Sequence, residues 1–287
     1  MLAEWLYQGL ASGRTTTSYP RKREELELKH KNWFRLPAVS KNCSGCQACL
    51  GICPTQALQL RKLEDSFRLE ISAENCLACN LCLEVCPEGA LSAGDLDKAM
   101  PVIFPQEPTE IRTAAINDNE STSPNKTASL PERTVPFDVQ EKSIARTLKR
   151  VFRRSLHIRH IDTGSCNACE TEILALSNPY YNLHRLGFFF TASPRHADVL
   201  LVTGALTLAM RDILLETYAA MPKPRFVIAC GACALSGGAF AASSRRTASV
   251  ADLLPVDVKI PGCPPNPYAL LKALNLATDK LEGGEAR

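Results

Sequence analysis

Residues 43–54 read CSGCQACLGICP, and residues 76–87 repeat the same spacing as CLACNLCLEVCP. Each copy places four cysteines in the pattern C-x-x-C-x-x-C-x-x-x-C and ends in a proline. This proline donates no backbone hydrogen bond and has a restricted φ, so it turns the chain after the last cysteine. The repeat therefore predicts a small module built by internal duplication.

This cysteine spacing is the one that holds two 4Fe-4S clusters in bacterial-type ferredoxins. The first three cysteines of each run bind one cluster, and the fourth binds the other cluster. A structural zinc site is the alternative, although zinc modules usually use two separated C-x-x-C pairs. The predicted ligands are Cys43, Cys46, Cys49 and Cys86 for cluster 1, and Cys76, Cys79, Cys82 and Cys53 for cluster 2.

The bulk properties exclude several classes of protein. A chain of 287 residues is long enough for about two domains. Its net charge of +3 gives no indication of nucleic-acid binding. No apolar run approaches the roughly 20 residues of a spanning helix, and the N-terminus lacks the pattern of a signal peptide. Because thiolates that bind iron need a reducing compartment, we expect a cytoplasmic protein.

The composition divides the chain into four parts. Residues 1–39 form an N-terminal arm whose first residues are amphipathic, and this arm suits a membrane surface, a partner or its own module. Residues 40–102 form the ferredoxin domain, with a hairpin predicted from Leu58–Lys62 and Phe67–Ile71. Residues 103–142 are rich in proline and small polar residues and read as a linker.

Residues 143–287 form the fourth part, in which strand-like and helix-like segments alternate. The predicted strands are His157–Ile161, Val199–Val202, Phe226–Ala229 and Val256–Ile260, with helices around 167–178, 207–220 and 267–280. Alternation of this kind predicts an open, mostly parallel α/β sheet. The predicted fold class is thus an α+β ferredoxin-like module followed by an α/β domain of the flavodoxin-like type.

Four further cysteines follow strands of this second domain. Cys166 and Cys169 follow the first predicted strand, Cys233 follows the third and Cys263 follows the last. Because ligands of such sheets bind beyond the carboxyl ends of the strands, the four thiolates are candidates for a third 4Fe-4S cluster. The spacing alone leaves zinc or redox-active thiols open as alternatives.

Four stretches of this domain carry a family resemblance. They are GSCNACETEI (164–173), SPRHADVLLVTGALTLAM (193–210), CGACALSGG (230–238) and VDVKIPGCPPNP (256–267). Over residues 145–280 the chain resembles the small subunit of membrane-bound, energy-converting NiFe hydrogenases of the formate hydrogenlyase type, a homologue of the complex I B subunit. The resemblance implies that Cys166, Cys169, Cys233 and Cys263 bind a proximal 4Fe-4S cluster. Cys230 lies outside this pattern and is expected to be a buried small residue.

The N-terminal part resembles the ferredoxin-like subunit of the same complexes, the homologue of the complex I I subunit. This resemblance runs from Gly13 and the TTTSYP segment (15–20) through both cluster motifs. The chain looks like a fusion of two neighbouring subunits, and tethering raises the effective concentration of one module near the other. The C-x-x-C at Cys166 and Cys169 is the hydrogenase arrangement, whereas complex I has adjacent cysteines there.

The resemblance implies an iron–sulfur electron-transfer subunit of a NiFe hydrogenase, with three 4Fe-4S clusters and no catalytic centre of its own. The expected partners are a large subunit with the active site, a membrane subunit near the N-terminal arm and a further electron-transfer subunit. The protein would then be peripheral on the inner face of the cell membrane. The alternatives are a complex I-like dehydrogenase lacking nickel and, from another class, a cluster-based redox sensor. The absence of a DNA-binding motif counts against the sensor.

Three polar residues are candidates for the surroundings of the proximal cluster. Glu172 matches an acid that the family carries near the cluster, or it complements a helix dipole in the first turn. Arg195 and His196 are candidate hydrogen-bond donors to the ligands, with an interface role as the alternative. His160, on a predicted strand, is expected in the core or at an interface.

Overall fold

The computed structural model of the chain describes five stretches, with Tyr7 and Ala11 besides them. The stretches are residues 36–40, 43–62, 67–94, 155–246 and 249–274. The predicted linker 103–142 and most of the predicted arm 1–39 lie outside the described residues. Within the described part of the chain, no helix combines the length and apolar content needed to cross a membrane.

The two-cluster module, as described over residues 36–94, consists of short strands and short helices. They are β1 (Pro37–Val39), α1 (Ala48–Ile52), β2 (Leu58–Lys62), β3 (Phe67–Ile71), α2 (Leu81–Glu84) and β4 (Leu91–Ala93). Strand β1 pairs with β4 and β2 pairs with β3, both antiparallel. The bounds of β2 and β3 are those predicted from sequence, so the hairpin prediction is confirmed.

The hairpin forms because alternate residues of its strands are apolar and share one face. Leu58, Leu69 and Ile71 pack on that face against Cys49 and Cys82. The apolar face of the hairpin therefore covers the cysteines of both motifs rather than a separate core.

The second domain contains a five-stranded parallel sheet, which confirms the predicted α/β class. Its elements are β5 (Leu156–Asp162), α3 (Ala168–Ala175), β6 (Phe188–Phe190), β7 (Val199–Thr203), α4 (Leu208–Ala220), β8 (Phe226–Cys230), α5 (Ala232–Ser236), β9 (Val258–Ile260) and a helix α6 described over residues 267–274. The strand order is β6-β5-β7-β8-β9, and every neighbouring pair is parallel.

The sheet is buried on both faces, as its continuous apolar strands require. Leu201, Ile228 and Val258 point to the face that packs against α3 and α6. Leu200 and Val227 point to the opposite face, which packs against α4 and the turn at 250–254. The burial of whole strands explains why the sequence shows uninterrupted apolar runs at β7 and β8.

Two details of the sheet differ from the prediction. Strand β6 was not predicted, because it is an edge strand of only three residues, Phe188–Phe190. Strand β9 begins at Val258, two residues later than expected, since Asp257 instead exchanges hydrogen bonds with Val227. The strand order reverses at β5, so the carboxyl ends of β5 and β7 form the topological switch point, where open α/β sheets bind ligands.

Candidate metal centres

The first cavity of the two-cluster module is lined by four thiols. It spans about 380 Å³ including the part open to solvent, and three of its cysteines come from the first motif and one from the second. The cysteines are Cys43, Cys46, Cys49 and Cys86, the set predicted for cluster 1. Burial raises the pKa of the Cys49 thiol, and the charges of the other three thiolates raise it further.

The second cavity is lined by the other four cysteines of the module. It spans about 340 Å³ including the part open to solvent, and its cysteines are Cys53, Cys76, Cys79 and Cys82, the set predicted for cluster 2. Burial and the nearby thiolates raise the pKa of Cys82 to about 11. Because burial and mutual repulsion disfavour the thiolate forms, a positively charged group is needed to keep all four cysteines as thiolates.

The last cysteine of each motif lines the cavity of the other motif, and the turn after the motif explains this position. The amide of Ala57 donates to Cys53 Sγ at 3.2 Å, and the amide of Ala90 donates to Cys86 Sγ at 3.3 Å. Ala57 and Ala90 are both buried, so each turn is packed against the module. The same turn therefore directs the last thiol of each motif towards the other motif's loop.

Three cysteine loops each contain one left-handed residue between two cysteines. Gln47, Asn80 and Asn167 each follow a cysteine of a C-x-x-C pair and have φ of 65°, 63° and 68°. Each occupies the left-handed region, which is uncommon for residues with a side chain, and each immediately precedes a helix that carries the next cysteine. The loop of Cys166 and Cys169 thus matches the two ferredoxin-type loops at this residue and at the start of the helix. It differs one step earlier, where Gly45 and Ala78 are left-handed and Ser165 is not.

Cys166, Cys169, Cys233 and Cys263 meet at the carboxyl edge of the sheet. Burial raises the pKa of Cys233 to about 11, and the charges of Cys263, Cys169 and Cys166 add to this shift. Cys166 and Cys263 are exposed, whereas Cys169 and Cys233 are half-buried. The group is therefore open to solvent or a partner on one side.

Two glycines allow this close approach. A Cβ on Gly231 would lie 2.8 Å from Cys169 Sγ, and one on Gly238 would lie 3.2 Å from Cys233 Sγ. Both residues have positive φ, which glycine adopts without strain. A larger side chain at Gly231 would occupy the space next to the thiol, so this position forms part of a cradle around the cysteines.

Cys230 lies at the end of β8 and is fully buried. A hydrogen bond with the Cys169 thiol, followed by burial, raises the pKa of Cys230. It therefore contacts Cys169 from the back of the site. Among the described residues, no three His, Cys, Asp or Glu side chains are arranged to hold a single metal ion.

A row of hydrogen-bonded polar side chains that the sequence did not predict lies behind Cys169. The Thr203 hydroxyl donates to Glu170 Oε1, and His160 Nε2 lies 2.9 Å from the Thr203 oxygen. Glu170 Oε2 is buried with no hydrogen-bond partner among the described residues. Burial lowers the pKa of His160, while the charges of Glu170 and Asp162 oppose this effect. The one signal for Glu170 was its position directly after Cys169.

Glu172, Arg195 and His196, the three polar residues predicted near the proximal cluster, lie at two different places in the domain. Glu172 lies on α3, half-buried, and burial raises the pKa of its carboxyl. Arg195 and His196 are exposed in the turn that leads into the amino end of β7. Because the cysteines follow carboxyl ends, the structure does not bring Arg195 and His196 to this edge of the sheet.

Arg246 is a second residue that the sequence did not single out. Its guanidinium donates to the carbonyl of Ser236 at 2.9 Å and to that of Ala241 at 3.3 Å. It packs directly over Gly237, where a Cβ would lie 2.5 Å from Arg246 Cζ. The positive charge of Arg246 acts to lower the pKa of Cys233, against the larger effects of burial and the other thiolates.

Two family models match the chain in separate regions. The model described as NADH ubiquinone oxidoreductase, 20 Kd subunit, matches residues 166–277, which hold all four cysteines of the third group. The model of the 4Fe-4S dicluster domain matches residues 42–90, which hold all eight cysteines of the two-cluster module.

Individual relatives align with about half of the chain. A probable membrane-bound hydrogenase subunit mbhJ of Pyrococcus furiosus is 43% identical over 141 residues, covering 49% of this chain and 84% of the relative. Formate hydrogenlyase subunit 7 of Escherichia coli is 41% identical over 150 residues, covering 52% of this chain and 59% of the relative.

A solved structure of the membrane-bound sulfane sulfur reductase, an archaeal respiratory membrane complex, contains a similar chain. The two chains share 30% identity with a TM-score of 0.43, over 50% of this chain and 77% of the other. Because the Pyrococcus relative is matched over most of its length, membership of its family follows. The chain belongs to the family of the 20 Kd subunit of NADH ubiquinone oxidoreductase and carries a 4Fe-4S dicluster domain in front of it.

Proposed function

We propose that this chain is the iron–sulfur electron-transfer subunit of a membrane-associated NiFe hydrogenase complex. Its family membership and dicluster domain indicate an iron–sulfur subunit of the membrane-bound hydrogenase or complex I-like class. When bound, three 4Fe-4S clusters would act as carriers between an active site in a partner chain and an electron donor.

The observation that carries the proposal is a left-handed residue between two cysteines, directly before a helix, in all three cysteine loops. The residue after Cys46, Cys79 and Cys166 is left-handed in each loop, and a helix with the next cysteine follows. Two of these loops belong to the dicluster domain. The third loop therefore has a backbone suited to the same kind of ligand, which supports a third cluster in the α/β domain.

The donor groups also suit a cluster. Each of the three sets contains thiols alone, and soft thiolate ligands favour iron–sulfur clusters, zinc or copper(I). Crowding raises the pKa of several of these thiols, so the cationic iron of a cluster would replace the protons that they otherwise hold. Gly231 and Gly238 keep the surroundings of Cys169 and Cys233 free of side chains.

Two features support a hydrogenase within this class. The third loop has two residues between Cys166 and Cys169, which is the hydrogenase-type spacing, and two relatives bear the names of hydrogenase and formate hydrogenlyase subunits. The strand order of the α/β domain, second-first-third-fourth-fifth, supports the flavodoxin-like assignment. The proposed partners are a large subunit that covers the exposed Cys166 and Cys263, a membrane subunit and a further electron-transfer subunit.

The proposal is tested by metal analysis of the native complex, purified anaerobically through a tag on this chain. We expect stoichiometric nickel, together with iron well above the about twelve atoms of three four-iron clusters. Iron without nickel would move the assignment to a complex I-like dehydrogenase. Iron of only about eight atoms in the isolated chain would remove the third cluster.

Replacement of Arg246 by methionine is expected to lower the reduction potential of the proximal cluster. The guanidinium beside Cys233 stabilises added negative charge, and a unit charge at roughly 10 Å in an effective dielectric of about 20 corresponds to roughly 70 mV. The measurement is an EPR-monitored redox titration of the full chain.

Two matched variants control this experiment. Arg246→Lys keeps the charge and should shift the potential less, and Arg245→Met removes an exposed neighbouring charge and should leave it unchanged. An unaltered midpoint in Arg246→Met, with full iron content, would contradict the electrostatic role.

A further inference from the structure

Glu74 joins the two-cluster module to the α/β domain through two different groups. Its carboxylate forms an ion pair with Lys259 Nζ at 3.0 Å. Its backbone carbonyl accepts a hydrogen bond from Ser236 Oγ at 3.1 Å. Because both the side chain and the main chain of one residue are held, the segment around Glu74 has little freedom to slide or rotate on the domain.

The ion pair is more sheltered than an ordinary surface pair. The Lys259 side chain is 14% exposed and that of Glu74 is 28% exposed. The Arg61–Glu70 pair on the hairpin of the same module is 2.8 Å long, but its arginine is 50% exposed. Solvent and salt screen a partly buried pair less than an exposed one, so the Glu74–Lys259 contact is the stronger constraint.

The sheet explains why Lys259 is available for this contact. Val258 and Ile260 are buried in the core on one face of β9, and alternation along the strand directs Lys259 to the other face. Glu74, Lys259 and Ser236 each lie within four residues of a cysteine of the candidate centres. Glu74 is followed two residues later by Cys76, and Lys259 is followed four residues later by Cys263.

The cysteine loops of the two modules are close together at this interface. The Cys79 thiol of the two-cluster module lies near enough to the Cys263 thiol of the α/β domain for their charges to interact. Ser236, the third contact residue, lies three residues after Cys233. Each of the three contact residues is thus connected to a candidate ligand by a short length of backbone.

We propose that Glu74, Lys259 and Ser236 form a clasp that fixes the Cys76–Cys79 loop of the two-cluster module against the Cys233 and Cys263 loops of the α/β domain. The clasp sets the separation between cluster 2 and the proximal cluster, and this part of the inference rests on the proposed function. Electron tunnelling slows steeply with distance. A tether alone would permit a range of separations, whereas a clasp selects one.

The test compares charge reversals with a charge exchange in the full chain, purified anaerobically. Glu74→Lys and Lys259→Glu each place like charges together, and the double variant restores an opposite pair. Amide hydrogen exchange of residues 72–79 and 232–238 reports local opening at the interface. We expect exchange about tenfold faster in each single variant, which corresponds to about 1.4 kcal/mol, and near-native exchange in the double variant.

A matched reversal in the same module provides the control. Glu70→Lys breaks the Arg61–Glu70 pair on the hairpin and should leave exchange at both interface segments unchanged. Glu74→Gln keeps the shape of the side chain and serves as a milder variant if the reversal does not accumulate. Native exchange in all single variants, or no recovery in the double variant, would overturn the clasp.

A second measurement separates the clasp from the proposed function. In the fully reduced protein, magnetic interaction between cluster 2 and the proximal cluster should weaken in the single variants while total iron stays constant. Iron and EPR signals of two clusters only, in the wild-type chain, would remove the proposed third cluster, and hydrogen exchange would still decide the clasp. Unchanged magnetic interaction at full iron content would contradict its role in setting the separation.

Discussion

Cys263→Ser should lose about four iron atoms per chain and the EPR signal of the proximal cluster, while both signals of the two-cluster module persist. Cys263 lies on the loop after β9, where its thiol interacts with Cys166 and Cys169 of the same group. A serine hydroxyl is a poor replacement for a thiolate ligand of iron. Iron analysis and EPR of the anaerobically purified chain measure both effects.

Cys230→Ser is the matched control for this variant. Cys230 contacts Cys169 from the back of the site but lies outside the proposed ligand set, so its replacement should leave the iron content unchanged. Simultaneous loss of all three signals in Cys263→Ser would refute the modular assignment. Full iron in Cys263→Ser together with iron loss in Cys230→Ser would exchange the roles of the two cysteines.

Cys53→Ser should remove or convert cluster 2, although Cys53 belongs to the first cysteine motif. Its thiol lines the cavity of Cys76, Cys79 and Cys82, and the amide of Ala57 holds it there with a hydrogen bond of 3.2 Å. This result is expected because Cys53 of the first motif would bind the cluster held by the three cysteines of the second motif.

The two clusters of the module are distinguished by comparing variants. The EPR spectrum of Cys53→Ser should match that of Cys79→Ser, whose residue lines the same cavity, and differ from that of Cys46→Ser. A Cys53→Ser spectrum identical to that of Cys46→Ser would mean that each motif holds its own cluster. The proposed crossing of ligands would then be wrong.

Local sequence patterns predicted the two-cluster module closely. Strands β2 and β3 have the bounds expected from alternating apolar residues, since a hairpin depends on contacts between residues close in sequence. The α/β class was also predictable, because buried parallel strands are continuous apolar runs separated by helices. The edge strand β6 was missed because three residues are too few to show a pattern.

The surroundings of the third cysteine group were less predictable. Glu170, Thr203 and His160 meet through hydrogen bonds between residues separated by up to 43 positions. Arg246 reaches Ser236 from a different loop, and nothing in its local sequence marks it. Conversely, Arg195 belongs to a stretch that resembles the family (193–210), but it lies before β7, away from the cysteines.

The sequence by itself determined the cysteine motifs, the turn after each motif and the alternation of buried strands with helices in the α/β domain. These depend on residue spacing and local backbone preference, which are present in any part of the chain taken alone. Only the tertiary structure decided which charged and polar side chains lie beside the thiols and how Glu74 joins Lys259 across 185 positions. Such contacts form when distant segments pack, and their partners are selected by the shape and charge of the whole fold.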